Sequence, residues 1–237
     1  MQGDTILRLI VRNLTKSISG EMILNKVSYS FEKGRIYGVC GREASHRASM
    51  LRCISGEERF ERGYIRISNR GDECKLGFND VALVYENSFV TEKMTGREFV
   101  NYYIDTHKVK DRMAEECLDL IELPQADRDR LIRYYSEDMI YRLKLLCMYI
   151  SAPKIILIEE PFSKLNDEKW TNFNKLLEEL KDRHIIIITS CNFDKIKNFS
   201  DEILLLNDGV LWGTDSKHLE NINEIDLLTV NLEEDNG

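Results

Sequence analysis

The stretch Tyr37-Gly38-Val39-Cys40-Gly41-Arg42-Glu43-Ala44-Ser45-His46-Arg47-Ala48-Ser49 follows an apolar strand and opens a helix through Met50, Leu51, Cys53 and Ile54. That setting belongs to the loop G-x-x-x-x-G-K-[ST], whose backbone amides cradle phosphates and whose hydroxyl holds Mg²⁺. Gly41 fills the first position, but His46 stands at the second glycine, Arg47 at the lysine and Ala48 at the hydroxyl residue. The second glycine lets N–H groups curl around phosphate, and an imidazole obstructs that curl. Arg47 keeps a positive charge, yet a broad guanidinium replaces a compact ammonium poorly. Ala48 offers Mg²⁺ no oxygen; Ser49 offers one only if the register shifts.

The rest of the chain must build the frame for this loop. Its 237 residues suffice for one large domain with a sizeable core. The 43% apolar and 31% charged fractions are ordinary for a globular chain, and a net charge of −8 gives no basic footprint for nucleic acid. Purely aliphatic runs reach four residues, far short of a membrane span, and the first residues do not resemble a signal peptide. Any membrane role would run through a partner. Cys40, Cys53, Cys74, Cys117, Cys147 and Cys191 show no metal spacing with histidine and read as reduced, mostly buried thiols of a cytosolic protein.

Residues 6–11 and 26–31 read as strands, the second placing Val27, Tyr29 and Phe31 on one face by alternation. Residues 35–40 read as a buried strand entering the loop, and 81–85 as another strand after a polar connection. From about 95 to 150 the pattern is helical, with Met113, Cys117, Leu120 and Ile121 predicted on one face and a later helix from about 137 to 150 ended by Pro153. The strand Ile155–Ile158, a helix presenting Trp170, Phe173, Leu177 and Leu180, and the strand Ile185–Ile188 follow. Aliphatic strands alternating with helices predict a parallel sheet covered on both faces, with a helical lobe set between its halves. Glu233–Gly237 forms an acidic tail.

The later segments stand in a telling order. Tyr135-Ser136-Glu137-Asp138-Met139 starts a helix, and Ile155-Ile156-Leu157-Ile158-Glu159-Glu160 begins sixteen residues after Met139. Ser163-Lys164-Leu165-Asn166, then Ile185 through Cys191-Asn192, then Glu202 through Gly209 complete the series. This succession resembles the ATP-binding subunits of ABC transporters over roughly residues 5–220. The resemblance implies an α/β P-loop NTPase fold of the ABC ATPase type: a mainly parallel sheet with flanking helices, an antiparallel β portion and an inserted helical subdomain near 90–152. The whole of 1–237 would form one such domain.

By the same resemblance, the 41–49 loop is the Walker A motif and Tyr135–Met139 the L-S-G-G-Q signature. Glu159 stands for the Walker B aspartate, one methylene longer than an octahedral ion would want. Glu160 is the catalytic glutamate, Glu86 the Q-loop glutamine, Ser163–Asn166 the D-loop and Cys191 the H-loop histidine. Ala44 replaces a further family glycine, and Ile18 lies near where an aromatic would stack on adenine. Met94-Thr95-Gly96-Arg97-Glu98-Phe99 is similar to a stretch of subunits serving small bacterial exporters. ATP and Mg²⁺ would be the ligands if the site still works.

Family members pair head to tail, so the signature of one subunit faces the nucleotide of the other. Here Ser136 survives, but Glu137 and Asp138 replace the two glycines. A carboxylate ~4 Å from a phosphate charge would cost roughly 4 kcal/mol at an effective dielectric of about 20. The same acids also suit a helix N-terminus. Arg47 is expected either to pair with Glu159 or Glu160 or to point to solvent with Arg42 and Arg52. Three functional classes follow. One is a degenerate transporter subunit, cytoplasmic and bound to a transmembrane permease, paired with itself or a paralogue and structural or regulatory in role. The others are an ATPase using Arg47, Ser49 and Glu160 unconventionally, and an adaptor outside transport.

Overall fold

The computed structural model describes residues 6–85, 91–109, 112–163 and 167–214. Glu86, Lys164–Asn166, the side chain of Phe173 and the acidic tail lie outside the described residues. The first two strands run further than their apolar alternation indicates. β1 (Arg8–Ile18) and β2 (Glu21–Glu32) pair antiparallel through Ser19-Gly20, whose φ values are 53° and 87°. A two-residue turn with both residues left-handed matches the twist of the strands it joins. β3 (Ile36–Cys40) leads into α1 (Ala44–Ser55).

Residues read from sequence as a polar connection instead form β4 (Arg62–Asn69) and β5 (Asp72–Cys74). β4 pairs with β1 and buries little besides Ile67 and Ser68, so its exposed face masks the strand pattern. β6 (Val81–Val84) follows, then α2 (Gly96–Thr106), α3 (Ala114–Leu120), α4 (Gln125–Arg128) and α5 (Glu137–Ser151). The remaining elements are β7 (Ile155–Glu159), α6 (Asp167–Leu180), β8 (Ile185–Ser190), α7 (Phe193–Asn198), β9 (Glu202–Asn207) and β10 (Val210–Thr214).

The larger sheet has the order β10-β9-β3-β8-β7-β6, parallel except at β10, and the smaller antiparallel sheet has the order β2-β1-β4-β5. Leu9, Leu14 and Phe31 of the smaller sheet share a core with Val39, Leu157 and Ile187 and with Met50 and Leu51 of α1. On the opposite face Ile156, Ile158, Ile186 and Ile188 pack against Trp170 and Leu177 of α6 and Ile196 of α7. Burial on both faces is what makes these strands continuously aliphatic.

The helices between β6 and β7 enclose a third core of Phe99, Val100, Cys117, Leu118, Leu143 and Leu146 among others. The face expected on α3 needs correction. Met113 is 63% exposed and Leu120 44%, while Ala114, Leu118 and Ile121 join Cys117 inside. The helix is only two turns long, and Met113 lies outside it as N-cap. The thiols also divide: Cys40, Cys53 and Cys117 are buried and Cys147 partly so, but Cys74 and Cys191 reach the surface.

Candidate functional site

Register brings the separated motifs to one edge. Cys40 lies opposite Ser190 across β3 and β8, and Glu159 lies opposite Thr189 across β7 and β8. Gly41, Glu160 and Cys191 therefore leave three adjacent strands at the same carboxyl end, where ligands of open α/β sheets bind. β8 separates β3 from β7, so its last residues sit between the loop and the carboxylates.

Gly41 owes its lack of a side chain to packing, because a Cβ there would stand 2.2 Å from the Leu206 carbonyl oxygen. The helix then begins at Ala44, so the residues at the loop's last three template positions are already wound in. Arg47 is 2% exposed and folds back into the site, donating one Nη to the Gly41 carbonyl and the other to the Glu160 carboxylate. Of the two pairings expected, the structure makes the one with Glu160, and the solvent-facing alternative fails. Glu160 has a left-handed φ of 46°, and its N–H donates to the Thr189 carbonyl at 2.9 Å. Its carboxylate also accepts the Cys191 N–H at 3.0 Å and the Ser190 hydroxyl at 3.3 Å. The Glu160 carboxylate is thus held by three donors, two at the end of β8 and one from α1.

Glu159 belongs to a different neighbourhood. Burial pushes its carboxyl up, Arg52 at 3.7 Å pulls it down, and the Glu160 charge raises it further. Arg52 also reaches Glu58 at 3.6 Å and lies over the Tyr85 ring at 5.4 Å. The Glu159 carbonyl accepts the Tyr141 hydroxyl at 3.1 Å. His46, Ala48 and Ser49 are buried in α1. Arg42 is exposed and makes no hydrogen bond or ion pair among the described residues, and Ile18 is exposed at the β1–β2 tip.

These residues can be tested against a Mg²⁺-triphosphate. The lysine position is committed to a backbone carbonyl and a carboxylate, and the hydroxyl position carries a methyl group. Buried atoms without a hydrogen-bond partner among the described residues include Glu43 Oε2, His46 Nδ1, Arg47 Nε, Glu159 Oε2 and Thr189 Oγ1. Of these, the Glu43 and Glu159 carboxylate oxygens are acceptors where phosphate wants donors, while Arg47 Nε–H and the Thr189 hydroxyl can donate. The residues present do not fit the group.

The second candidate region is the start of α5. Ser136 caps it, its hydroxyl accepting the Met139 N–H at 3.3 Å. Asp138 accepts from Arg142 at 2.9 Å and from Lys169 of α6 at 2.6 Å, while Glu137 is exposed. Arg142 continues inward to the carbonyls of Ile121 and Glu122. Sequence reasoning missed Ser190, Arg52, Arg142 and Lys169. Only the Asp138–Arg142 spacing of four, a helical neighbour distance, announced a contact in advance.

The stretch 94–99 has its own local explanation. Thr95 and Glu98 form a reciprocal capping box, with bonds of 3.2 and 2.9 Å. A Cβ at Gly96 would collide with the Tyr135 hydroxyl at 2.1 Å, and Arg97 pairs with Asp129 at 2.7 Å.

Among the described residues no helix is long and apolar enough to cross a membrane. The sequence profile of the ABC transporter family matches residues 24–163. The uncharacterized ABC transporter ATP-binding protein YybJ of Bacillus subtilis is 32% identical over 206 residues, spanning 85% of this chain and 93% of that protein. The methionine import ATP-binding protein MetN of Campylobacter jejuni is 22% identical over 232 residues, 86% of this chain and 69% of that protein. A solved ATP-binding subunit of an ABC transporter superposes with a TM-score of 0.78 at 18% identity, covering 94% of this chain and 98% of that one. At that identity the likeness bears on the fold.

Proposed function

The chain belongs to the ABC transporter ATP-binding family and has its P-loop ATPase fold, and from that premise we propose that it is a transporter subunit whose nucleotide site has been closed by its own side chains. It would pair head to tail with another such subunit and dock on a transmembrane permease, which would hold it at the inner membrane face. Its contribution would be structural or regulatory, with ATP binding and hydrolysis lost or strongly reduced. The helical region near 90–152 is proposed as the subdomain inserted into this single domain.

One observation carries the reading: the Arg47 guanidinium bonds both Gly41 and Glu160. A phosphate would have to break a buried ion pair, and the carboxylate so released would face the phosphate as a like charge. The residue proposed for water activation is meanwhile held by Arg47, Ser190 and Cys191. Isothermal titration of the full chain with Mg-ATP should give no heat of binding at micromolar concentrations. A clear sub-millimolar isotherm refutes the proposal.

The unpartnered polar atoms around α1 favour a second reading, in which Arg47 swings away and a nucleotide takes its place. Phosphate release that Glu160→Gln abolishes would establish that ATPase. Export as the direction of transport rests on the resemblance of 94–99 alone, and those residues already have structural work in capping and packing α2.

A further inference from the structure

We propose that Cys40 and Cys191 are an oxidation site, joining in a reversible disulfide across the carboxyl ends of β3 and β8. Strand register brings the two residues together. Cys40 ends β3 opposite Ser190, the last residue of β8, and Cys191 follows Ser190 directly. Neighbouring strands stand about 4.8 Å apart and rise about 3.3 Å per residue, so the two Cα atoms fall roughly 6 Å apart. A disulfide spans Cα separations of about 4.4–6.8 Å. Orientation agrees with the spacing. Cys40 joins the core that Phe193 and Ile196 of α7 complete, and at Cys191 the chain leaves β8 to enter that helix on the same face of the sheet. The two sulfurs are near enough for charge on Cys191 to act on the Cys40 thiol.

Exposure sets the order of reaction. Cys191 lies at the surface, whereas Cys40 is buried and its thiol is pushed up to about 11, with the Arg47 guanidinium pulling the other way. Hydrogen peroxide in solvent therefore meets Cys191 first. The Cys191 thiolate attacks one peroxide oxygen, the O–O bond breaks, and a sulfenic acid and one water result. The Cys40 sulfur then attacks the Cys191 sulfur, the S–O bond breaks, and a second water leaves with the Cys40 proton. Two thiols and one peroxide give one disulfide and two waters, with sulfur oxidised and peroxide oxygen reduced. A solvent dithiol restores both thiols by exchange. The bond ties the entrance of the 41–49 loop to the residue whose N–H holds Glu160. It requires no nucleotide, so it does not rest on the closed-site reading.

The test treats the reduced full-length chain with hydrogen peroxide, blocks the remaining thiols in denaturant, and maps the peptides without reduction. Wild type should lose two of its six reactive thiols, yield a linked Cys40–Cys191 peptide, and recover both thiols with dithiothreitol. Cys40→Ser removes the resolving thiol, so Cys191 should run on to sulfinic acid, a gain of about 32 Da that dithiothreitol does not reverse. Cys191→Ser, a surface change, should leave Cys40 reduced. Cys74→Ser, which removes the other surface thiol, should leave the link intact. Wild-type Cys191 that ends as sulfinic acid beside a reduced Cys40, that links to Cys74, or that survives unoxidised overturns the inference. The Mg-ATP titration judges the closed site separately.

Discussion

Two buried arginines show how differently the strand-end site and the helical lobe are built. Arg142 in the lobe sends one nitrogen to the Ile121 and Glu122 carbonyls at the end of α3, and two to Asp138 at 3.2 and 2.9 Å. Those carbonyls are among the groups that every helix end leaves without an intrahelical partner. The side chain completes what folding leaves over, and each of its nitrogens is engaged. Arg47 at the strand ends is just as buried, yet among the described residues its Nε has no partner, and Glu43, His46 and Thr189 carry unpartnered atoms nearby in sequence or on the adjacent strand. Lobe polarity is structural and nearly saturated. Strand-end polarity is only partly paired among the described residues.

Stability measurements can break this contrast. Arg142→Met strands two helix-end carbonyls, and Asp138 keeps only Lys169. The expected loss is about 3 kcal/mol, a fall in Tm of roughly 6–12 °C for a domain of this size. Arg47→Met leaves Glu160 half-exposed and still bound to Ser190 and Cys191, so the loss should be about 1 kcal/mol. Urea titrations of both variants check the order. Equal losses would mean that Arg47 is as fully integrated as Arg142, and the distinction would collapse.

The legible parts of the chain were those in which one physical cause dominates. Aliphatic runs at Ile155–Ile158 and Ile185–Ile188 are buried on both faces, and the helix through Trp170 and Leu177 turns those residues into the second core. β4 and β5 were illegible because a half-exposed antiparallel edge needs few apolar residues. Their clue was the turn pair Arg70-Gly71, both at positive φ. Met113 misled because the apolar period began before a helix of two turns, and Leu120 because it lies within that helix on a face turned from the core that Cys117 and Leu118 join. At the site, sequence order located the loop and the carboxylates, and the retained cation suggested an ion pair. Which carboxylate it meets depends on strand order and on the left-handed turn at Glu160, neither of which spacing reveals. Ser190 and Arg52 carried no signal, since their roles come only from facing those carboxylates.

The neighbouring carboxylates allow the finest comparison, because adjacent residues should respond oppositely to losing their charge. Burial raises the Glu159 carboxyl above its ordinary value near 4.5, so between that value and the raised one the folded chain holds a proton that the unfolded chain has released. The folded state then binds more protons, and stability falls as pH rises through that window. Above the window the penalty is complete. Glu159→Gln removes it, so the variant should gain on wild type as pH climbs above about 4.5, with Arg52 opposing part of the burial penalty. Glu160→Gln should be less stable than wild type at pH 7.5, since Arg47 loses its counter-charge in a buried setting. Denaturant titrations of both variants across that range read the two signs. If both lose stability at neutral pH, the Arg52–Glu159 pair at 3.7 Å outweighs the burial of the Glu159 carboxylate, and both strand-end ion pairs stabilise the fold.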